Sequence, residues 1–377
     1  MPLRAVVGTR EVVSIDLPAE AFDALRGRRD LRMVCCDAPA VPKRSVRGLP
    51  FFAHGTRGEC HTAAETLFHL QGKALIALAA REAGWTADVE AVGKAPDGEL
   101  WRADVLCTRG TGRMAFEVQH SGITLETLHA RQARYTASGV HGVWFMRTHE
   151  RALRGAQPWQ RETPALYVTE QHQVPALGLS LEATVEAMLG GHLDLFPPPG
   201  RPVQVTVLSE TIGCFHCAGN TGLLMAVWLC PPNSPDPAVM LPGTTAGLAA
   251  WVHGLLGPVW GGEQWTFTEW PQEKPRVYAC PGCERTRQAR AFRTDEHAWR
   301  QLADRQPGEP VRPFWAFRQG RHGVVRKLAV LTEAQHAWWM ETAGGKWMLS
   351  TMVGPRAPGE GAEAPSAHSP TTQGRLL

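Results

Sequence analysis

The sequence lacks an amino-terminal hydrophobic leader. MPLRAVVGTREVV contains no apolar h-region, and apolar runs such as Ala74–Ala80 are far too short to span a bilayer. A soluble, cytoplasmic protein is therefore expected. A strong charge of either sign is missing too. The formal net charge is +3 over 377 residues, so any contact with a polyanion has to come from local patches rather than a global field. No internal repeat of solenoid or propeller period is visible. The nine cysteines are odd in number and unevenly spaced, which excludes a regular disulfide framework and suits reduced thiols or metal ligands.

What is present is enough apolar material, 44% of residues, to build real cores in a chain long enough for two domains. The central signal is Trp101–Gln119, WRADVLCTRGTGRMAFEVQ, two alternating segments around Arg109-Gly110-Thr111-Gly112. This pattern predicts a β-hairpin. With the turn centred between Gly110 and Thr111, Thr108 faces Arg113, Leu106 faces Ala115, Asp104 faces Glu117 and Arg102 faces Gln119. Alternation then gathers Arg102, Asp104, Glu117 and Gln119 on one face, with Ala103, Val105, Cys107, Met114, Phe116 and Val118 on the other. Two opposed carboxylates repel, and a divalent cation between them would remove that cost. The alternative is a solvated face on which Arg102 serves as counter-charge.

Upstream, Ala5–Gly8 and Val12–Ile15 are plausible strands. Residues 61–83 predict a helix ended by Gly84, carrying an apolar stripe through Leu67, Leu70, Ala74 and Leu78. Glu65, His69 and Lys73 recur every four residues on one stripe, open to either a solvated or a functional role. Trp85–Lys94 predicts a strand and Pro96-Asp97-Gly98 a turn. After the hairpin come a helix over 124–138, with Thr124 as N-cap and Gly139 as its C′ residue, and a buried strand over Val140–Arg147. Helix, three strands, helix and strand in that order predict an α/β fold with a mixed sheet covered by helices.

Two sets of metal-ligating residues stand out. Cys214-Phe215-His216-Cys217 and Cys280-Pro281-Gly282-Cys283 are CxxC knuckles whose four thiolates suit a structural Zn²⁺. They lie farther apart than the usual about 15–20 residues, so an insertion is looped out between them. A redox pair or buried thiols are the alternatives. Cys35 or Cys36, with His54 and Cys60, makes a weaker set, because adjacent cysteines lack ribbon spacing, and buried or incidental thiols are the simpler reading. Arg285, Arg287, Arg290 and Arg293 follow the second knuckle, as a phosphate contact or as a merely solvated basic face.

Glu65-x3-His69-x3-Lys73, Arg102-x-Asp104, Glu117-x-Gln119-x-Ser121, Arg131-x3-Tyr135 and Val143-Trp144 together resemble the CoiA-like competence protein family. The resemblance implies a restriction-endonuclease-like, PD-(D/E)XK core of order α-β-β-β-α-β. It implies a hydrolase acting on DNA phosphodiester bonds with Mg²⁺ or Mn²⁺ at Asp104 and Glu117. The Val118 carbonyl is a possible further ligand, and Gln119 stands where the superfamily usually has Lys. Glu65, His69 and Lys73 would complete the catalytic group, with Arg102, Ser121, Arg131 and Tyr135 toward substrate. Lys73 is the expected replacement for the missing lysine, and Arg131 the runner-up. The family's paired-cysteine ribbon before a Phe-x-His element is matched only by Phe52-Ala53-His54 after the adjacent Cys35-Cys36.

The expected organisation is a small β-rich element over 1–60, a nuclease-like core over 61–150 and a helical or linker segment over 151–200. A C-terminal zinc-ribbon-like region over 201–352 and a disordered tail over 353–377 follow. Three functions compete: a metal-dependent deoxyribonuclease in DNA uptake, recombination or processing; a catalytically weak or inactive DNA-binding accessory protein; and a zinc-stapled interaction module.

Overall fold

The computed structural model describes residues 2–55, 60, 65–147, 162–213, 216–217, 220–232, 238–243, 245–257 and 320–353, with short strands between 259 and 311. The chain opens with β1 (Arg4–Val7) and β2 (Arg10–Val13), a short helix α1 (Ala19–Asp23), and strands β3 (Leu31–Met33), β4 (Ala40–Arg44) and β5 (Pro50–His54). β1 lies between β2 and β3, and β4 pairs with β5.

Helix α2 (Leu67–Glu82) starts where Thr66, in extended conformation, accepts the His69 amide on its side chain at 3.3 Å. Residues 61–64, expected as its first turn, lie outside the described part. Next come β6 (Thr86–Lys94), β7 (Leu100–Arg109), β8 (Gly112–Gln119), α3 (Leu125–Ala137) and β9 (His141–Met146). Thr124 caps α3 by accepting the Thr127 amide at 3.2 Å, and Gly139 follows it at φ 66°. The hairpin turn closes through the pair Arg109–Gly112, with Gly110 at φ 58° supplying the left-handed backbone that the two-residue loop requires.

These strands form a five-stranded mixed sheet of order β10-β9-β8-β7-β6, in which β6, β7 and β8 are antiparallel and β8, β9 and β10 parallel. The fifth strand, β10 (Ala165–Tyr167), and a further helix, α4 (Leu181–Leu189), come from the segment over 151–200, where the sequence reads as a strand over Ala165–Val168 and a helix over Ser180–Leu189. Leu181, Val185, Met188 and Leu189 of α4 share one core with α2 and the sheet. α2 and α4 cover one face; α3 covers the other through Leu128 and Tyr135 against Ala115 and Trp144.

One close approach seats α2 over the sheet. A Cβ on Gly72 would lie 2.9 Å from Val118, so only glycine lets this helix rest on β8 between Glu117 and Gln119. Beyond the core, Leu193–Phe196 pairs with Lys346–Leu349, and Pro202–Gly213 pairs on one side with Asn220–Cys230 and on the other with Gly320–Val330. No described helix is long and apolar enough to cross a membrane. The tail from 354 lies outside the described residues.

Candidate active site

The hairpin keeps its expected register through Thr108–Arg113, Leu106–Ala115 and Val105–Phe116, and the ladder stops there. Val105 packs on the α2 side of the sheet, whereas Trp101 and Ala103 pack on the α3 side. A strand that simply alternated would hold all three on one side. β7 therefore turns over at Asp104, and β7 and β8 part.

That parting corrects the expected face-to-face pair of carboxylates. Asp104 Oδ2 accepts the Val118 amide at 2.8 Å and lies 2.9 Å from His69 Nε2 of α2. Glu117, 2% exposed, is addressed from the other side: Arg131 Nη2 donates to it at 2.7 Å, and the Tyr135 hydroxyl also donates. Arg131 is held in turn over the Trp144 ring, 4.8 Å from its centroid. Arg131 and Tyr135, expected to face substrate, thus bind a carboxylate of the site itself.

The two acids feel different fields. Burial works against the Asp104 carboxylate, but the His69 hydrogen bond and charge, with Lys73 behind them, outweigh it and hold its pKa below the usual value. For Glu117, burial and then the neighbouring Asp104 dominate over Arg131 and Tyr135, pushing its pKa up to about 8 from an ordinary 4.5. Between those two values the folded chain binds more protons at Glu117 than the unfolded chain does, so this group makes stability fall as pH rises through that window. A divalent cation held by Glu117 would have to displace that proton. Its apparent affinity is expected to rise with pH, by up to about tenfold per unit, and to level off above about pH 8. Calorimetric titration of Mg²⁺ or Mn²⁺ between about pH 6 and 9 checks this; the slope should vanish in Glu117→Gln.

A second group lies along α2. Lys73, fully buried, donates to both Glu65 oxygens at 2.9 Å and to Glu90 Oε1 at 2.7 Å. Lys73 meets Glu65 as their shared stripe implies, but it is tied between two carboxylates and does not stand as an unpaired cation beside a phosphate. Burial opposes its ammonium, and Glu90, Glu65 and Asp104 more than compensate, raising its pKa. Arg102 Nη2 donates to Glu90 Oε2 at 3.0 Å. Gln119 donates its amide to the Ser121 carbonyl at 2.9 Å, holding both residues at the C-terminal end of β8. Glu90, His120 and Arg147 were missed from the sequence. His120 and Arg147 hydrogen-bond to one another at the ends of β8 and β9. The available signal for Glu90 was slight: a carboxylate between Val89 and Ala91, two residues after Asp88 in the same strand.

Away from these groups, Cys35, Cys36, His54 and Cys60 converge, with one potential ligand atom from each lying within 4.8 Å of the others. Cys36 Sγ is 3.3 Å from His54 Nε2, and Cys35 Sγ is 3.6 Å from Cys60 Sγ. Burial and the adjacent thiols push the Cys35 thiol up to about 12, the disfavour for thiolate that a bound cation reverses. The set that spacing ranked as incidental is thus assembled by the fold into a cluster able to bind a structural metal such as zinc. Of the expected C-terminal quartet, Cys214, Cys280 and Cys283 lie outside the described residues and Cys217 is exposed. The side chains of Arg285, Arg287, Arg290 and Arg293 lie outside them as well.

The described elements define a mixed α/β domain with a carboxylate-centred polar site at its splayed hairpin. Residues 65–181 match the family model described as "Competence protein CoiA, nuclease-like domain", which supports a CoiA-like family for that segment. No curated protein matches. One solved structure, titled "Crystal Structure of Protein of Unknown Function AF1548", is 18% identical over 22% of this chain and 47% of its own, with a TM-score of 0.18.

Proposed function

We propose that the chain is a Mg²⁺- or Mn²⁺-dependent deoxyribonuclease built on a restriction-endonuclease-like core. The observation that supports it best is the convergence of Asp104, Glu117 and His69 on the splayed hairpin within the segment matching the CoiA nuclease-like model. The donors fit a hard divalent cation: two carboxylates and the Val118 carbonyl are all oxygen, and Glu117 lacks the positive charge that would fully offset its burial beside Asp104. Bound there, the cation would supply Lewis-acid activation of water and neutralise phosphate charge. His69 holds Asp104 in place, Arg131 and Tyr135 orient Glu117, and Gln119 can orient a water through its amide but supplies no charge.

The test is incubation of the full chain with closed circular single-stranded DNA, with and without Mg²⁺ or Mn²⁺. Metal-dependent cutting of circles establishes endonuclease chemistry; binding without cutting favours a second reading. That reading is a DNA-binding accessory protein with a weak or inactive site. It draws on Gln119 at the usual lysine position and on the engagement of Lys73 by Glu65 and Glu90.

For the cysteine sites, we propose structural zinc at Cys35, Cys36, His54 and Cys60, and retain the C-terminal quartet as a second site. Metal analysis should give about two zinc ions per chain, with one lost in Cys36→Ser and one in Cys280→Ser. One zinc, lost only in one variant, assigns the single site; no zinc after metal-replete expression refutes both.

A further inference from the structure

Strand β6 is bent out of ordinary geometry at one residue. Glu90 has φ 56°, a left-handed backbone that glutamate rarely adopts, with Val89–Val105 and Ala91–Ala103 paired on either side of it. That register sets Glu90 across from Asp104, where β7 turns over. Its carboxylate is 4% exposed and collects three donors. Oε1 accepts the Leu3 amide at 2.9 Å and Lys73 Nζ at 2.7 Å, and Oε2 accepts Arg102 Nη2 at 3.0 Å. The N-terminal strands are tied to the same point: the Pro2 carbonyl accepts the Phe52 amide at 3.0 Å, two residues before His54 of the cysteine cluster.

We infer that Glu90 is a positioning residue of the proposed nuclease site, holding Lys73, and through it Glu65, beside Asp104 while anchoring the N-terminal strands. This rests on the nuclease reading. The physical case is a balance of charge. Lys73 and Arg102 are matched by Glu65 and Glu90, with Lys73 and Glu90 buried and Arg102 reaching in from the exposed side. Without Glu90, the Lys73 ammonium has Glu65 as its one remaining carboxylate partner among these bonds, and one positive charge is left unmatched near Asp104. Both changes oppose a divalent cation. An ion pair kept for stability alone would leave cation affinity untouched once the chain is folded.

The test uses the full chain and Glu90→Gln, which keeps an acceptor for Leu3 and removes the charge. Mn²⁺ affinity is read by electron paramagnetic resonance, which requires no turnover, alongside kcat and KM on circular single-stranded DNA and thermal unfolding. Glu90→Gln is expected to fold and to lose about 10-fold or more in Mn²⁺ affinity and in kcat, with KM for DNA unchanged. Asp88→Asn, on the same strand but bonded to Arg4, should leave both at wild-type values. A folded Glu90→Gln protein with wild-type Mn²⁺ affinity and kcat overturns the inference. If that variant does not fold, Glu90→Asp, which retains the charge but withdraws it from Lys73, is judged by the same criteria. Loss of Mn²⁺ affinity in the variant, with no cleavage even by wild type, refutes the nuclease reading and leaves the role of Glu90 standing. No Mn²⁺ binding by wild type overturns both.

Discussion

Asp104→Asn and Glu117→Gln are each expected to abolish metal-dependent cleavage, with losses of at least about 10³-fold, the scale of several kcal/mol of transition-state charge stabilisation. Asparagine is preferred to alanine at Asp104. Alanine would also strip the Val118 amide of its acceptor, at a cost of about 1–3 kcal/mol that confounds activity with stability. At Glu117 the glutamine carbonyl oxygen can still accept from one of the two donors, Arg131 or Tyr135, as a protonated carboxyl would, while removing a charge that the fold itself disfavours. Its melting temperature should therefore hold, and circular dichroism checks that the fold is intact. If either folded variant cuts at the wild-type rate, the assignment of these carboxylates is wrong.

Lys73→Ala is expected to act on two levels. Removing a buried ammonium leaves Glu90 with Arg102 and the Leu3 amide alone, and breaking such a network typically costs about 3–5 kcal/mol. The melting temperature should fall clearly. At a temperature where the variant remains folded, cleavage should still be slower on the order of 10²-fold, with DNA binding changed far less. Adding Gln119→Lys should restore part of the rate but none of the stability, because the residue 119 amide bonds to Ser121 and not to Glu90. Single-turnover cleavage beside thermal unfolding separates these effects. Unchanged cleavage in folded Lys73→Ala would reduce Lys73 to a structural ion pair.

Where local pattern carries the information, the sequence was sufficient by itself. The hairpin and its register follow from strict alternation around a glycine turn, and α3 from a threonine cap and a C′ glycine, because each depends on neighbours a few residues apart. The same pattern nominated Asp104 and Glu117, and the match of residues 65–181 supports the CoiA-like family to which the motif series pointed. Alternation assumes an unbroken ladder, however, so it placed the two carboxylates face to face. Only the tertiary structure shows β7 turning over at Asp104, giving His69 to one acid and Arg131 with Tyr135 to the other. Contacts between residues far apart in the chain were equally beyond reach. Leu3 meets Glu90 across a distance in sequence that no periodicity encodes. Glu90, which nothing in the local pattern singles out, becomes once buried the point at which Lys73, Arg102 and the amino-terminal strand must meet.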